Sequence, residues 1–513
     1  MSERRRFWTF LSMVFLATVH AGLILEATTS RALAADARSG RLSPADVVKT
    51  LASRNPTLRA SLAEAEAARQ AVDGERSRYV PQFSLDGGYT TAGNPSLTQS
   101  GVVVGRLDSM VLKAGVSNQF VFGTSVQTSV SLSRTVQEYA APNLAEAVAL
   151  GPGYGLEARL ALAQPLLRGF GRSVGEASLR TARAALTQAE AAEQRTASDL
   201  VRQALTAYWE LWYAEAAVRI REAARALVER ELADAELRLK AGAISALDVL
   251  SLRTELASAD EALIQAHDTR RTQWVTLLQL MGVEAPARGP SWPATTDQPP
   301  TEAAGTEASG TAEIDHAEIE RAYEIQGLRA ERQRAEVSVV TAQDDVRPAL
   351  NLEGWVSVQG LGNREVPAAF RQVGRFDAVS AYVGLHGELE FDRTRRRAEE
   401  ARAMLGVTQV EARLREAEVR IGAQMATLRR QMSSTRRRFA LVKATIGLAR
   451  EMVEGQKARF DQGAGTTLEL LVAQQQLREA ELRDARTQVD FMSFRLQLRH
   501  LEARLLDDVA ESR

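Results

Sequence analysis

Catalysis and metal binding need donor groups that converge, and this chain offers few that do. Its five histidines, at positions 20, 267, 316, 386 and 500, include no pair four residues apart and no HExxH. Cysteine is absent, which excludes disulfides, thiol nucleophiles and thiolate metal ligands together. The acids and arginines alternate along stretches of helical periodicity, as solvated i, i+4 pairs do. The glycines of GFG, Gly169 to Gly171, precede a helix but lack the wider dinucleotide pattern. No catalytic centre, metal or cofactor is expected. What recurs instead is a turn. RLKAGAISALDVLSLRTEL (Arg238 to Leu256) is echoed by RFDQGAGTTLELLVAQQQL (Arg459 to Leu477) at an offset of 221 residues. Gly242 and Gly463 suit a left-handed helix end. Ser245 with Asp248, and Thr466 with Glu469, then form capping boxes that open the next helix. One copy would be an ordinary helical hairpin. Two matched copies argue for two equivalent hairpin tips meeting at one place.

The elements that must carry these turns follow from the same pattern. Ser173 to about Lys240 and Thr394 to about Asp461 are rich in Ala, Leu, Glu, Arg and Gln and contain no proline. Each predicts a helix of roughly 100 Å at 1.5 Å per residue, with a return helix from Ser245 and from Thr466. In the first, Leu205, Trp209, Trp212, Ala216, Ile220, Ala223 and Leu227 recur at 4-3-4 spacing, which favours nearly straight helix packing. Tyr208, Trp209, Trp212 and Tyr213 read as packing core. Upstream, Ser43-Pro44 and Asn55-Pro56 each pair a cap with proline at the first helical turn. Polar–apolar alternation then predicts strands over Pro81 to Thr90, Val111 to Gly123, Thr124 to Thr135 and Leu156 to Gln164. VRPALNLEGW (Val346 to Trp355) echoes VPQFSLDGGY at an offset of 267, and AYVGLHGELEF (Ala381 to Phe391) follows it. The first strand region is longer by 46 residues, an extra hairpin or loop within Ser96 to Pro152.

The expected organisation is a signal peptide over residues 1–34, a first repeat over 35–283, a Pro/Gly/Thr-rich linker over 284–313 and a second repeat over 314–513. The signal rests on Arg4 to Arg6, the apolar run Phe10 to Leu25, and Ala32-Leu33-Ala34. Beyond it no apolar run is long enough for a membrane-spanning helix. The charges nearly cancel, so nucleic acid is not an expected partner. An exported chain with a few strands per half cannot close a barrel alone, for which about eight strands are needed. Strand edges left open in lipid are not tolerated, so several copies would pool their strands.

At this point the chain resembles the TolC-like outer-membrane efflux family. The resemblance is carried by NPTLRASLAEAEAARQAV (Asn55 to Val72), QPLLRGFGR (Gln164 to Arg172) and the twin tips. It implies a mixed, mainly α fold: long antiparallel helical hairpins forming a trimeric α-barrel, joined to a shared twelve-stranded transmembrane β-barrel. It further implies an outer-membrane location with a long periplasmic portion, contact with outer-membrane lipid, and two partners, a periplasmic adaptor protein and an inner-membrane transporter. The function implied is a passive exit duct for efflux or secretion. The tips, with Gly242, Ser245, Asp248, Gly463, Thr466 and Glu469, would form the periplasmic entrance, with Asp248 and Phe460 as candidate gate residues. Phe460 stands where a family member has a tyrosine and Gly465 where it has an arginine, so the same latch hydrogen bonds cannot form. The arginines of RTRRR (Arg393 to Arg397) are expected near lipid head groups. The alternative reading is an exported coiled-coil scaffold of the periplasm without a channel.

Overall fold

The computed structural model describes residues 41–98, 101–140, 148–242, 244–284, 294–295, 297, 299, 315–462 and 464–511. The signal segment, most of the linker, and Gly463 lie outside the described residues. In chain order the elements are β1 (Arg41–Leu42), α1 (Pro44–Arg54), α2 (Pro56–Ser77), β2 (Gln82–Thr98), β3 (Gly101–Gln119), β4 (Ser125–Ala140), β5 (Val148–Pro165), α3 (Arg172–Gly175), α4 (Ala177–Lys240) and α5 (Ala246–Met281). There follow β6 (Ala294–Thr295), α6 (His316–Glu320), α7 (Tyr323–Asp345), β7 (Ala349–Asn363), α8 (Val366–Arg375), β8 (Val379–Glu388), α9 (Thr394–Asp461), α10 (Thr467–Leu501) and α11 (Leu505–Glu511). The protein is mainly helical, with one large sheet, as expected. The expected strands are present, and all but the last are longer, because alternation continues past the Gly and Pro punctuation expected to end them. The chain forms two compact units, and each takes segments from both halves of the sequence.

The first unit comprises residues 41–64, 190–327 and 414–511 of the described chain. It contains most of α4 and α9 with the return helices α5 and α10. A capping box joins Ser43 and Asp46 at the start of α1. Asn55 ends α1 and opens α2, its amide donating to the Leu280 carbonyl at 2.7 Å while its Oδ1 accepts from Leu58 N. Tyr208, Trp209 and Trp212 are buried, as packing core requires. The 4-3-4 stripe stays buried only as far as Ala216; Ala223 is exposed, and Val228 and Ala235 carry the core onward. The described part of the linker is a strap. Its β6 pairs in parallel with β1, and the Thr295 amide and hydroxyl both donate to the buried Glu215 carboxylate. The Tyr208 hydroxyl donates to the Leu42 carbonyl at 3.0 Å, fixing β1 to the same helix.

The second unit comprises residues 65–189 and 328–413. Its sheet has six strands in the order β2-β3-β4-β5-β7-β8, every pair antiparallel. A bulge between Thr135 and Gln137 shifts the β4–β5 register. The β7–β8 connection holds α8, an amphipathic helix with Pro367 in its first turn that the sequence reading did not single out. It packs on the sheet through Ala369, and two glycines of β7 make room for it. A Cβ at Gly360 would lie 2.1 Å from the Ala369 carbonyl oxygen, and one at Gly362 2.0 Å from that of Glu365.

Strands hand over to helices through charged junctions. The Tyr79 hydroxyl donates to the Gly175 carbonyl at 2.6 Å. Buried Asp344 accepts the Gly169 amide at 2.6 Å and faces Arg347 at 3.4 Å. Arg396 is mostly buried against the Glu390 carboxylate and the Asp345 carbonyl, and Arg395 pairs with Glu399 at 2.9 Å. Arg396 is thus held by the junction itself, whereas Arg395 stays exposed and pairs along α9. Asp344→Ala leaves the Gly169 amide without its acceptor, a loss of about 1–3 kcal/mol. Denaturant unfolding should show that loss, with faster amide exchange in the turn from Leu167 to Gly171; unchanged values would assign the turn to other contacts.

Candidate functional site

Two features of the fold are built for a task beyond stability, one in each unit. The first is the sheet, whose faces differ in kind. Because paired antiparallel residues share a face, the register sorts the side chains. One face carries Phe83, Leu85, Leu112, Val116, Val126, Val130, Leu132, Leu156, Leu160, Leu162, Leu352, Val356, Val358, Val383 and Leu385. Many of these are open to solvent, Leu385 at 66% and Val383 at 78%. The opposite face carries Gln82, Ser84, Asp86, Lys113, Ser117, Gln127, Ser129, Ser131, Ser133, Glu157, Arg159, Glu353, Gln359 and His386. Its aromatics are polar-edged: Trp355 stacks on Tyr382, and the Arg159 guanidinium lies 4.4 Å above the Trp355 ring.

A soluble sheet with one buried face has it covered by a layer; here only the far end is covered, by α8 over Gly360 and Gly362. The apolar rows run along β7 from Leu352 to Gly360. The next row, Tyr89–Met110–Arg134–Tyr154–Gly362, turns aromatic and charged. Beyond it stand Asp108 and Arg106, with Tyr89 donating to Asp108 at 3.1 Å. An apolar band of this height, with an aromatic rim, matches the ~9–11 residues a tilted strand needs to cross a bilayer. Among the described residues no helix is long and apolar enough to do so.

The second feature is the pair of hairpin tips, α4–α5 and α9–α10, both in the first unit. Gly242 has φ 74° and its amide donates to the Leu239 carbonyl, closing α4. Ser245 and Asp248 form the expected capping box: the Ser245 hydroxyl donates to Asp248 Oδ2 at 2.6 Å, and Asp248 N donates back at 3.3 Å. Thr466 and Glu469 form its counterpart on α10. Gly465 sits close against the end of α9. A Cβ there would lie 3.1 Å from Phe460 N, so a side chain is accommodated only if the loop gives by a few tenths of an ångström.

The structure brings the two tips together. The Thr467 hydroxyl, buried, donates to Asp248 Oδ1 at 3.2 Å. Arg238 of α4 reaches Asp461 of α9 at 3.1 Å and lies 5.2 Å from the Phe460 ring centre. Phe460 thus contributes a ring face where the sequence comparison missed a hydroxyl. Arg238, Asp461 and Thr467 were not singled out from the sequence. Arg238 and Asp461 sit in the echoed segments, but nothing in one dimension tells that they face each other. Below them Ala235, Val249 and Leu252 form a small core against Leu232, Ile244 and Leu471.

Electrostatics differ between the two acids of this region. Hydrogen bonds from the Ser245 hydroxyl and amide, and from Thr467, hold the Asp248 carboxyl below the usual carboxylate range, so it stays ionised. Glu231 is the opposite case. It lines a cavity of about 210 Å³ with Asp234, Arg238, Lys457, Phe460 and Thr467. Burial pushes its carboxyl above the usual range, although Gln474 donates to it at 2.6 Å; its Oε2 has no hydrogen-bond partner. A folded-state pKa raised above the unfolded value means the folded chain holds this proton more tightly. Its stabilising contribution is complete below the unfolded value near 4.5 and fades as pH rises through the folded one. Glu231→Gln should therefore stabilise the protein near neutrality and flatten the rise in melting temperature on mild acidification. Parallel pH profiles for variant and wild type would show that Glu231 is not the group responsible.

The fold is of the TolC type, and the comparisons agree with that. Residues 154–283 match the outer membrane efflux protein family. In fold, and over that segment in sequence, the chain is TolC-like. Among solved structures, the outer membrane protein VceC of Vibrio cholerae shares 16% identity, aligns over 89% of this chain and 95% of its own, and gives a TM-score of 0.63. The CmeC outer membrane channel of Campylobacter jejuni shares 12% over 91% and 88%, with a TM-score of 0.60. The open-state MtrE outer membrane channel of Neisseria gonorrhoeae shares 16% over 90% and 89%, with a TM-score of 0.59. No curated protein matches the sequence.

Proposed function

We propose that the protein is the outer-membrane exit duct of a tripartite efflux or type I secretion system. Three copies surround one tunnel, and substrates pass through it without any energy step of its own. The observation that carries this reading is the two-faced sheet. Its apolar band is the height of a bilayer, with its last rows under α8 and the rest uncovered, and a hydrophilic face lies behind it. The likeness to outer membrane channels supports it. The tips, with Gly242, Ser245, Asp248, Gly463, Thr466 and Glu469, would ring the periplasmic entrance. There Asp248–Thr467 and Arg238–Asp461–Phe460 act as the latch, and an adaptor protein and an inner-membrane transporter engage from below. The linker strap would belong to the periplasmic portion.

Membrane fractionation tests the reading. The duct is expected in the outer-membrane fraction as a heat-resistant trimer that forms conducting channels in planar bilayers. A soluble periplasmic product would overturn it and favour the coiled-coil scaffold. Loss of substrate export on removing the adaptor would separate a partnered duct from a free-standing pore.

A further inference from the structure

A trimeric barrel of this class is expected to hold twelve strands, four from each copy. We propose instead that each copy of this chain lays all six strands into the wall, so that three copies close a ring of eighteen. The proposal rests on the duct reading above and concerns the β3–β4 hairpin.

Three observations place that hairpin in the wall. First, it is the centre of an unbroken meander. Along its length β3 is paired to β2 from Gln82↔Ser117 to Thr98↔Gly101, and β4 to β5 from Ser125↔Ala163 to Tyr139↔Val148. A four-stranded contribution would require β2 to leave β3 and find β5, breaking two ladders to make one. Second, the hairpin keeps the phase of its neighbours. Leu112, Val116, Val130 and Leu132 fall on the apolar face, and Lys113, Ser117, Ser129 and Ser131 on the hydrophilic one. A hairpin standing in water on both sides has no need of a bilayer-high apolar face; one in the wall must have it. Third, the unpaired edges are β2 and β8, not the hairpin. Six is even, so β8 of one copy meets β2 of the next antiparallel, and the ten residues of β8 find a longer edge in β2. A second copy of the chain is therefore the partner for both edges, and the ring closes with no edge left in lipid. Barrel diameter grows roughly linearly with strand number, so this wall is about half again as wide as a twelve-stranded one.

The chain has no cysteine, so single cysteines can be introduced without a background. Leu112→Cys, Val130→Cys and Ser131→Cys probe the hairpin, and Leu160→Cys probes the neighbouring strand β5. Each full-length protein is reconstituted in vesicles, labelled with an environment-sensitive bimane, and compared in ordinary and brominated lipid. Bimane at 112, 130 and 160 should lose fluorescence in brominated lipid, while that at 131 should not and should be quenched by iodide in water instead. If 160 is quenched by lipid but 112 and 130 only by iodide, the hairpin stands outside the wall and the proposal falls. If 160 too answers only to iodide, the membrane reading itself fails, and this proposal with it.

Discussion

Replacing Arg238 and Thr467 together, as Arg238→Ala with Thr467→Val, should leave the entrance open at rest. In planar bilayers the single-channel conductance should rise severalfold, and cells should become permeable to antibiotics too large for the wild-type protein. Each contact is modest. An exposed ion pair such as Arg238–Asp461 contributes about 0.2–1 kcal/mol. The cation–π contact with Phe460 contributes about 0.5–1 kcal/mol. The Thr467–Asp248 hydrogen bond contributes roughly 1 kcal/mol. The sum is about 2 kcal/mol per copy, and three tips that open together multiply it. At about 1.4 kcal/mol per tenfold, the closed-to-open ratio falls by more than about a thousandfold. Thr467→Val keeps the Ser245–Asp248 capping box, so the helix start is not disturbed. Unchanged conductance in a correctly assembled variant would show that the tips are held by other contacts.

The contacts between the tips also show where sequence reading stops. The capping boxes were legible because a cap is local: Ser245 and Asp248 are three residues apart, and so are Thr466 and Glu469. The pairing of Arg238 with Asp461 spans 223 positions and depends on how two hairpins lie side by side, which no spacing encodes. Gly465 reads from the sequence as a missing charge, and its close approach to Phe460 N is visible only in three dimensions. The sheet behaved similarly. Alternation identified the strands, but their ends ran on through Gly and Pro; α8 is strongly amphipathic with proline in its first turn, and was missed because ten residues between two strands read equally well as their connection. The buried stripe of α4 was right where neighbours cover it, from Leu205 to Ala216, and drifted once the covering elements changed.

Leu160→Arg should abolish assembly in the membrane, whereas Ala161→Arg should be tolerated. The two positions are adjacent on β5 and face opposite ways. Leu160 lies in the middle of the apolar band, in the row Ala381–Val356–Leu160–Thr128–Val116–Phe83, and is half-exposed. An arginine on the lipid face near the bilayer midplane costs about 2–4 kcal/mol, and the proposed trimer would bear it three times. Ala161 sits beside Arg159 on the hydrophilic face, where the strand already carries a cation and Glu157. One more guanidinium there meets water and changes ion preference more than stability. The yield of heat-resistant trimer in the outer-membrane fraction reads out both variants, and the contrast between neighbours removes any general effect of adding charge. Equal loss for both would mean that neither face meets lipid and that the sheet is packed in protein. Equal tolerance would place Leu160 in water, and the apolar face would then need another partner to explain fifteen aliphatic and aromatic side chains held in one phase across six strands.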